Sequence, residues 1–166
     1  MLKSAEYWIR HFGLIKHPEG GYYNETYRSD ELISGESLPE RFKGKYSFST
    51  AIYYLLKSGD FSKFHRLKSD EIWHFYAGSP LNIFIIEQNG NLRKHLIGSG
   101  KENEELFQVL IPAMCWISAV PMEKDSYSLV GCTVAPGFEY KDLEFGNIDE
   151  LIAQYPHHKE IIEMLT

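Results

Sequence analysis

The chain is poor in cysteine, with two residues in 166. Cys115 and Cys132 form no Cys-x-x-Cys pair, and two scattered cysteines do not make a disulfide framework. Both lie in apolar runs, which suits reduced, buried thiols and a cytoplasmic protein. No apolar run approaches the roughly 20 residues of a membrane-spanning helix. The start, Met1 to Glu6, lacks the apolar core of a signal peptide. Excess positive charge is missing as well: 17 Lys and Arg stand against 23 Asp and Glu, a net charge of −6 with no basic stripe. Neither a membrane nor nucleic acid is therefore an expected partner. Internal repeats, linkers, low-complexity tracts, phosphate-loop glycine patterns and a Ser-His-Asp order are all absent.

What remains reads as one globular domain, residues 1–166, of which 43% is hydrophobic. A chain of this length buries roughly 70% of its unfolded surface. Aromatic content is high at 14%, with 11 Tyr and 10 Phe. Such residues favour strands and also line small-molecule pockets.

Ala5, Trp8, Ile9 and Phe12 share one helical face, with Ser4 as cap and Gly13 as terminator. His17-Pro18-Glu19-Gly20-Gly21 is a turn-rich break. It opens a strand, Tyr22 to Arg28, that alternation splits into Tyr23/Glu25/Tyr27 and Tyr22/Asn24/Thr26/Arg28. Residues 29–45 read as a loop. From Tyr46 to Pro136 short strands follow one another at even spacing, which predicts an all-β barrel or sandwich. Asn89-Gly90 marks a hairpin turn. After Phe145 two short apolar faces predict helices.

Between Gly59 and Gly78 a Gly, five residues, His65, then Glu71, six residues and a Gly reproduce the frame of the first cupin motif. With His17 to Arg28, Pro112 to Trp116 and Leu129 to Phe138, the chain resembles the cupin 5 group of small RmlC-like proteins along nearly its whole length. The resemblance implies a double-stranded β-helix, or cupin jelly roll, with short N- and C-terminal helices. The barrel core would occupy about 20–140 and the helical tail about 147–166. It also implies a homodimer, paired through the edge of the Tyr22–Arg28 strand.

Metal-binding cupins bring together a His-x-His pair, a Glu and a His of a second motif. Here the second His position holds Leu67 and the second motif's His position holds Ile117. Only His65 and Glu71 remain, a pair that would hold a divalent metal weakly, so no cofactor is expected. The alternative is acid–base chemistry, with His65 as base, Glu71 orienting it or shuttling the proton, and Tyr53, Tyr23 or another inward Tyr as acid. His65→Ala is then expected to abolish turnover and leave folding nearly intact. Trp73 and Phe75, sharing a face with Glu71, would floor the pocket, though plain core packing serves them equally. His74 points the other way. Ser49 shares a face with Tyr53 and would anchor the ligand, as would Glu25. Arg28 would bind a carboxylate or phosphate, or form a surface ion pair. Phe138 would close the mouth. The expected function is isomerisation or epimerisation of a small carbohydrate or hydroxy-carbonyl ligand. A metal-dependent cupin enzyme and a non-catalytic metabolite-binding protein are the alternatives.

Overall fold

The computed structural model describes residues 3–100 and 104–166; Met1 and Leu2 of the stretch read for a leader lie outside them. Helix α1 (Ala5–His11) leads into strands β1 (Ile15–Lys16), β2 (Tyr22–Arg28), β3 (Leu32–Ser34), β4 (Lys45–Ser47), β5 (Thr50–Lys57), β6 (Ser62–Arg66) and β7 (Asp70–Gly78). Then come β8 (Leu81–Ile86), β9 (Leu92–Ile97), β10 (Glu105–Leu106), β11 (Gln108–Ile111), β12 (Trp116–Pro121), β13 (Tyr127–Ala135) and β14 (Glu144–Phe145). Helices α2 (Ile148–Gln154) and α3 (Lys159–Leu165) end the chain.

Two six-stranded sheets, ordered β1-β2-β5-β13-β7-β11 and β10-β9-β8-β12-β6-β14, form the barrel. Their inner faces meet in one core. Tyr54, Leu56, Trp73, Val130 and Cys132 come from the first sheet, and Leu81, Ile83, Ile85 and Ile117 from the second. The outer faces are capped by helices for the same reason that the inner ones meet: apolar area is driven from water. Helix α1 lays Trp8, Ile9 and Phe12 on Leu55, Tyr127 and Leu129 of the first sheet. The Trp8 indole donates to the Tyr127 hydroxyl at 2.7 Å. Its start is capped by Ser4, whose hydroxyl accepts from the Tyr7 amide. Helices α2 and α3 set Leu151, Ile162 and Leu165 on Phe64, Ile86 and Trp116 of the second sheet.

Two local devices decide what faces the interior. In β2 the register slips between Glu25 and Tyr27, so that Thr26 is an extra residue. A bulge of this kind changes side-chain parity. Tyr23, Glu25 and Arg28 therefore all line the same cavity, although simple alternation puts Arg28 on the opposite face. In β5 the inward residues are Thr50, Ile52 and Tyr54. The expected set, Ser49, Ala51, Tyr53 and Leu55, has the other parity. Strand β2 has β1 beyond it over Tyr22 and Tyr23. Both cysteines are buried and free. Among the described residues no helix is long and apolar enough to cross a membrane.

Candidate functional site

The barrel holds a cavity of about 250 Å³. Ladder register builds its floor in rows. Ile52, Cys132 and Trp73 stand side by side across β5, β13 and β7, and Thr50, Val134 and Glu71 form the next row. The walls are Tyr23, Tyr54, Trp73, Phe138 and Tyr140, with Leu67 at the side. The strap between β1 and β2 folds over the site and delivers His17 and Glu19. Sequence reasoning passed over Glu19, because a Glu in a turn normally points to solvent. The usable signal was Gly20-Gly21, both with positive φ, which lets the strap press against the barrel.

Four titratable groups crowd the inner end. The Nδ1 of His65 lies 2.7 Å from the Lys63 carbonyl, which can only accept, so Nδ1 carries the proton. Its Nε2 is then a bare acceptor, 3.4 Å from Glu19 Oε1. Glu19 in turn accepts from Ser62 Oγ at 3.2 Å. Burial pushes the Glu19 carboxyl up to about 8, so at neutral pH it is mostly protonated. Burial lowers His65, which stays neutral. His17 Nδ1 accepts the Glu19 amide at 3.2 Å, and burial, then the nearby His65, lowers that ring to about 4.

Glu71 lines the cavity together with Glu19 and His17. It is only 7% accessible, and its Oε2 has no hydrogen-bond partner. Burial, then the neighbouring Glu19, raises it to about 7. Trp73 Nε1 is likewise buried without an acceptor. The Cys132 thiol beside Glu71 is held protonated by burial.

Several expectations are corrected by placement. His65 is 1% accessible and sits behind Glu19, off the cavity lining, with both ring nitrogens facing chain groups. Tyr53 stacks on Phe12 under α1 at 4.2 Å, outside the barrel, so it is no acid for the cavity. Ser49 turns its hydroxyl to the Val134 carbonyl and does not reach the cavity. Phe75 pairs with Val130, one row deeper, and packs into the core. His74 faces outward, between Thr133 and Gln108. Glu71, Trp73, Glu25, Arg28 and Phe138 do come together at the cavity.

Arg28 is not free for a ligand. It forks onto Glu25 with Nε and Nη2 at 3.0 and 2.9 Å. It also donates to Glu139 at 2.9 Å and to the Phe138 carbonyl at 3.0 Å. It therefore ties β2 to the Phe138–Tyr140 segment at the mouth, where the Tyr23 and Tyr140 hydroxyls meet at 2.7 Å. Exposed ion pairs contribute little stability, at most about 1 kcal/mol each. Arg28→Met is thus expected to leave the melting temperature within a few degrees. The amides of Phe138 to Tyr140 should exchange hydrogen at least about tenfold faster, while unchanged exchange there would show that Arg28 holds nothing.

The metal set of a cupin does not fit these residues. Leu67 and Ile117 occupy two ligand positions, and Ile117 pairs with His65 in the β12–β6 ladder. Among the described residues no three His, Cys, Asp or Glu side chains are arranged to hold one ion.

A family model described as Cupin superfamily (DUF985) matches residues 6–146. A hypothetical protein from Leishmania major superposes with a TM-score of 0.89 at 32% identity, covering 99% of each chain. Protein SO0799 from Shewanella oneidensis gives 0.89 at 34% identity over 99% of this chain and 98% of its own. The uncharacterized protein YML079W of Saccharomyces cerevisiae is 29% identical over 151 residues, 86% of this chain and 75% of that one. Oxalate decarboxylase from Bacillus subtilis shares the fold alone: TM-score 0.56, 16% identity, 91% of this chain on 36% of that chain.

Proposed function

We propose, given that the chain belongs to the cupin 5 family of the cupin superfamily (DUF985), that its cavity binds a small hydroxylated metabolite and moves a proton on it, as an isomerase or epimerase of a carbohydrate or related hydroxy-carbonyl compound. The observation that carries this reading is Glu71, a buried carboxyl with one unpartnered oxygen on an aromatic-walled cavity. Beside it the Trp73 indole lies near enough to favour the Glu71 carboxylate but makes no well-formed hydrogen bond among the described residues. A ligand hydroxyl satisfies both, since it donates and accepts.

The acid–base roles move from His65 and Tyr53 to the two carboxyls. Ionised Glu71 takes the proton from the carbon beside the carbonyl. The electron pair of that C–H bond becomes the enediol double bond, and the carbonyl oxygen takes the Glu19 proton. Glu71 then returns its proton to carbon, while an enediol hydroxyl gives its proton back to Glu19 and becomes the new carbonyl. Protonation of the former carbonyl carbon, with loss from the hydroxyl on the carbon first deprotonated, is isomerisation. Protonation of that first carbon on its other face, with loss from the former carbonyl oxygen, is epimerisation. An acid near 8 beside a base near 7 suits neutral pH, where each is partly in its working form. His65 Nε2 backs Glu19 at 3.4 Å and positions it.

The test is a panel of aldoses and ketoses in deuterated buffer, followed by proton NMR. Wild-type protein should wash deuterium into the carbon beside the carbonyl of at least one sugar. Glu71→Gln should slow that exchange by at least about 100-fold, the usual size of a general-base contribution. A sugar that binds and stays unlabelled would leave a binding protein and end the catalytic reading.

A further inference from the structure

The charge of the ligand is also written into this cavity, and the inference rests on the reading that a small molecule occupies it. We infer that this molecule carries a positively charged nitrogen, seated between Glu71 and the rings of Tyr23, Tyr54, Trp73, Phe138 and Tyr140.

The first reason is what an anion would meet. Arg28 is the one Lys or Arg among the described lining residues, and it is spent on Glu25, Glu139 and the Phe138 carbonyl. At the mouth, then, two carboxylates surround one guanidinium. His17 supplies no charge, since its Nδ1 accepts a backbone amide and its ring stays neutral. A phosphate or carboxylate would enter a space with two buried carboxyls and no available cation.

The second reason is what Glu71 lacks. A carboxyl more than nine-tenths buried, with an oxygen that makes no well-formed hydrogen bond among the described residues, is costly even with the Trp73 indole and Cys132 thiol nearby. The groups packed about it are Glu19, His65, Trp73, Cys132 and Tyr54; of these His65 alone can take a positive charge, which would lower the Glu71 pKa, but burial holds that ring toward its neutral form. A ligand ammonium supplies the missing charge and keeps Glu71 ionised, which its proposed role as base requires.

The third reason is the wall. Tyr54 meets Trp73 edge to face at 5.6 Å, and Phe138 meets Tyr140 likewise at 5.0 Å. The two perpendicular pairs set ring planes at right angles to one another in the cavity wall. Aromatic faces are electron-rich, and several about one space form a cage suited to ammonium groups.

The experiment compares matched probes by calorimetry and ligand-observed NMR at pH 8. Glucamine, sorbitol and gluconate place a positive, zero and negative charge on one six-carbon polyol. Cyclohexylammonium and cyclohexanol repeat the positive and neutral cases on a ring without the polyol's hydroxyl groups. Each ammonium probe is expected to bind at least tenfold more tightly than its neutral partner, with gluconate the weakest polyol. Glu71→Gln, checked for an unchanged fold by circular dichroism, should erase that preference. Equal binding of glucamine and sorbitol would overturn the charge inference and leave the hydroxylated-ligand reading standing. Binding of cyclohexylammonium alone would do the reverse. If no probe binds, both fall.

Discussion

Gly20→Ala is expected to destabilise the protein by more than about 3 kcal/mol and to dismantle the cavity with it. Gly20 has φ +119, a conformation that costs a residue with a Cβ. A Cβ there would lie 2.2 Å from the Phe61 carbonyl oxygen and 3.3 Å from its carbon, both backbone atoms that cannot swing aside. Relief therefore requires the strap to lift. Lifting breaks the bond from the Tyr54 hydroxyl to the Gly20 carbonyl at 2.9 Å and the one from the Lys63 amide to the Glu19 carbonyl at 2.9 Å. Glu19 and His17 leave the site together. Gly13→Ala is the control: φ is +59, but nothing lies within 4 Å of its Cβ, so roughly 1 kcal/mol is expected. Urea unfolding of the two variants decides the matter. Similar losses would mean that the strap adapts and that the close approach of Gly20 is not what seats Glu19.

The second large effect is on pH. A carboxyl whose folded pKa is raised stabilises the fold at low pH, and that stability is lost as pH climbs through the folded value. Glu71 near 7 and Glu19 near 8 both have this sign. His17 near 4 has the opposite sign: its unfolded ring takes up protons near pH 6.5 and its folded ring does not, so it favours folding as pH rises from 4 to 6.5. His65 is lowered too and acts in the same direction. Below pH 6.5 the histidines and carboxyls oppose one another. Above it the unfolded histidines lose their remaining charge within about one pH unit and the carboxyls dominate. Stability should therefore fall by about 2 kcal/mol between pH 6.5 and 8. For a chain of this size that is a drop of roughly 6 °C in melting temperature. Glu19→Gln should remove most of the slope, since Glu19 titrates at the upper end of the window. A flat melting temperature across that range would show that Glu19 is already ionised, and its role as acid would be lost.

The expectation that His65→Ala abolishes turnover with little effect on folding changes in consequence. An imidazole that bonds to the Lys63 carbonyl and faces Glu19 in the interior is part of the packing. Its loss leaves a cavity and strands a buried acid.

The sequence by itself determined the architecture. The even spacing of short strands, the apolar face of α1 with Ser4 as its cap, and the Gly59–Gly78 frame are local patterns, and local physics reads them. Glu71 and Trp73 were legible because a strand alternates with period two, and so was the aliphatic character of Leu67 and Ile117. The tertiary structure alone decided the rest. Parity in β5 was invisible because a one-residue slip exchanges the faces, which is how Tyr53 was taken for Tyr54. The bulge at Thr26 put Arg28 on the cavity side, and no residue there announces it. Glu19 joined the site only because the strap crosses the barrel and meets His65, 46 positions later in the chain. Burial of a carboxyl, and the shift in its proton affinity that follows, depends on what closes over it in three dimensions.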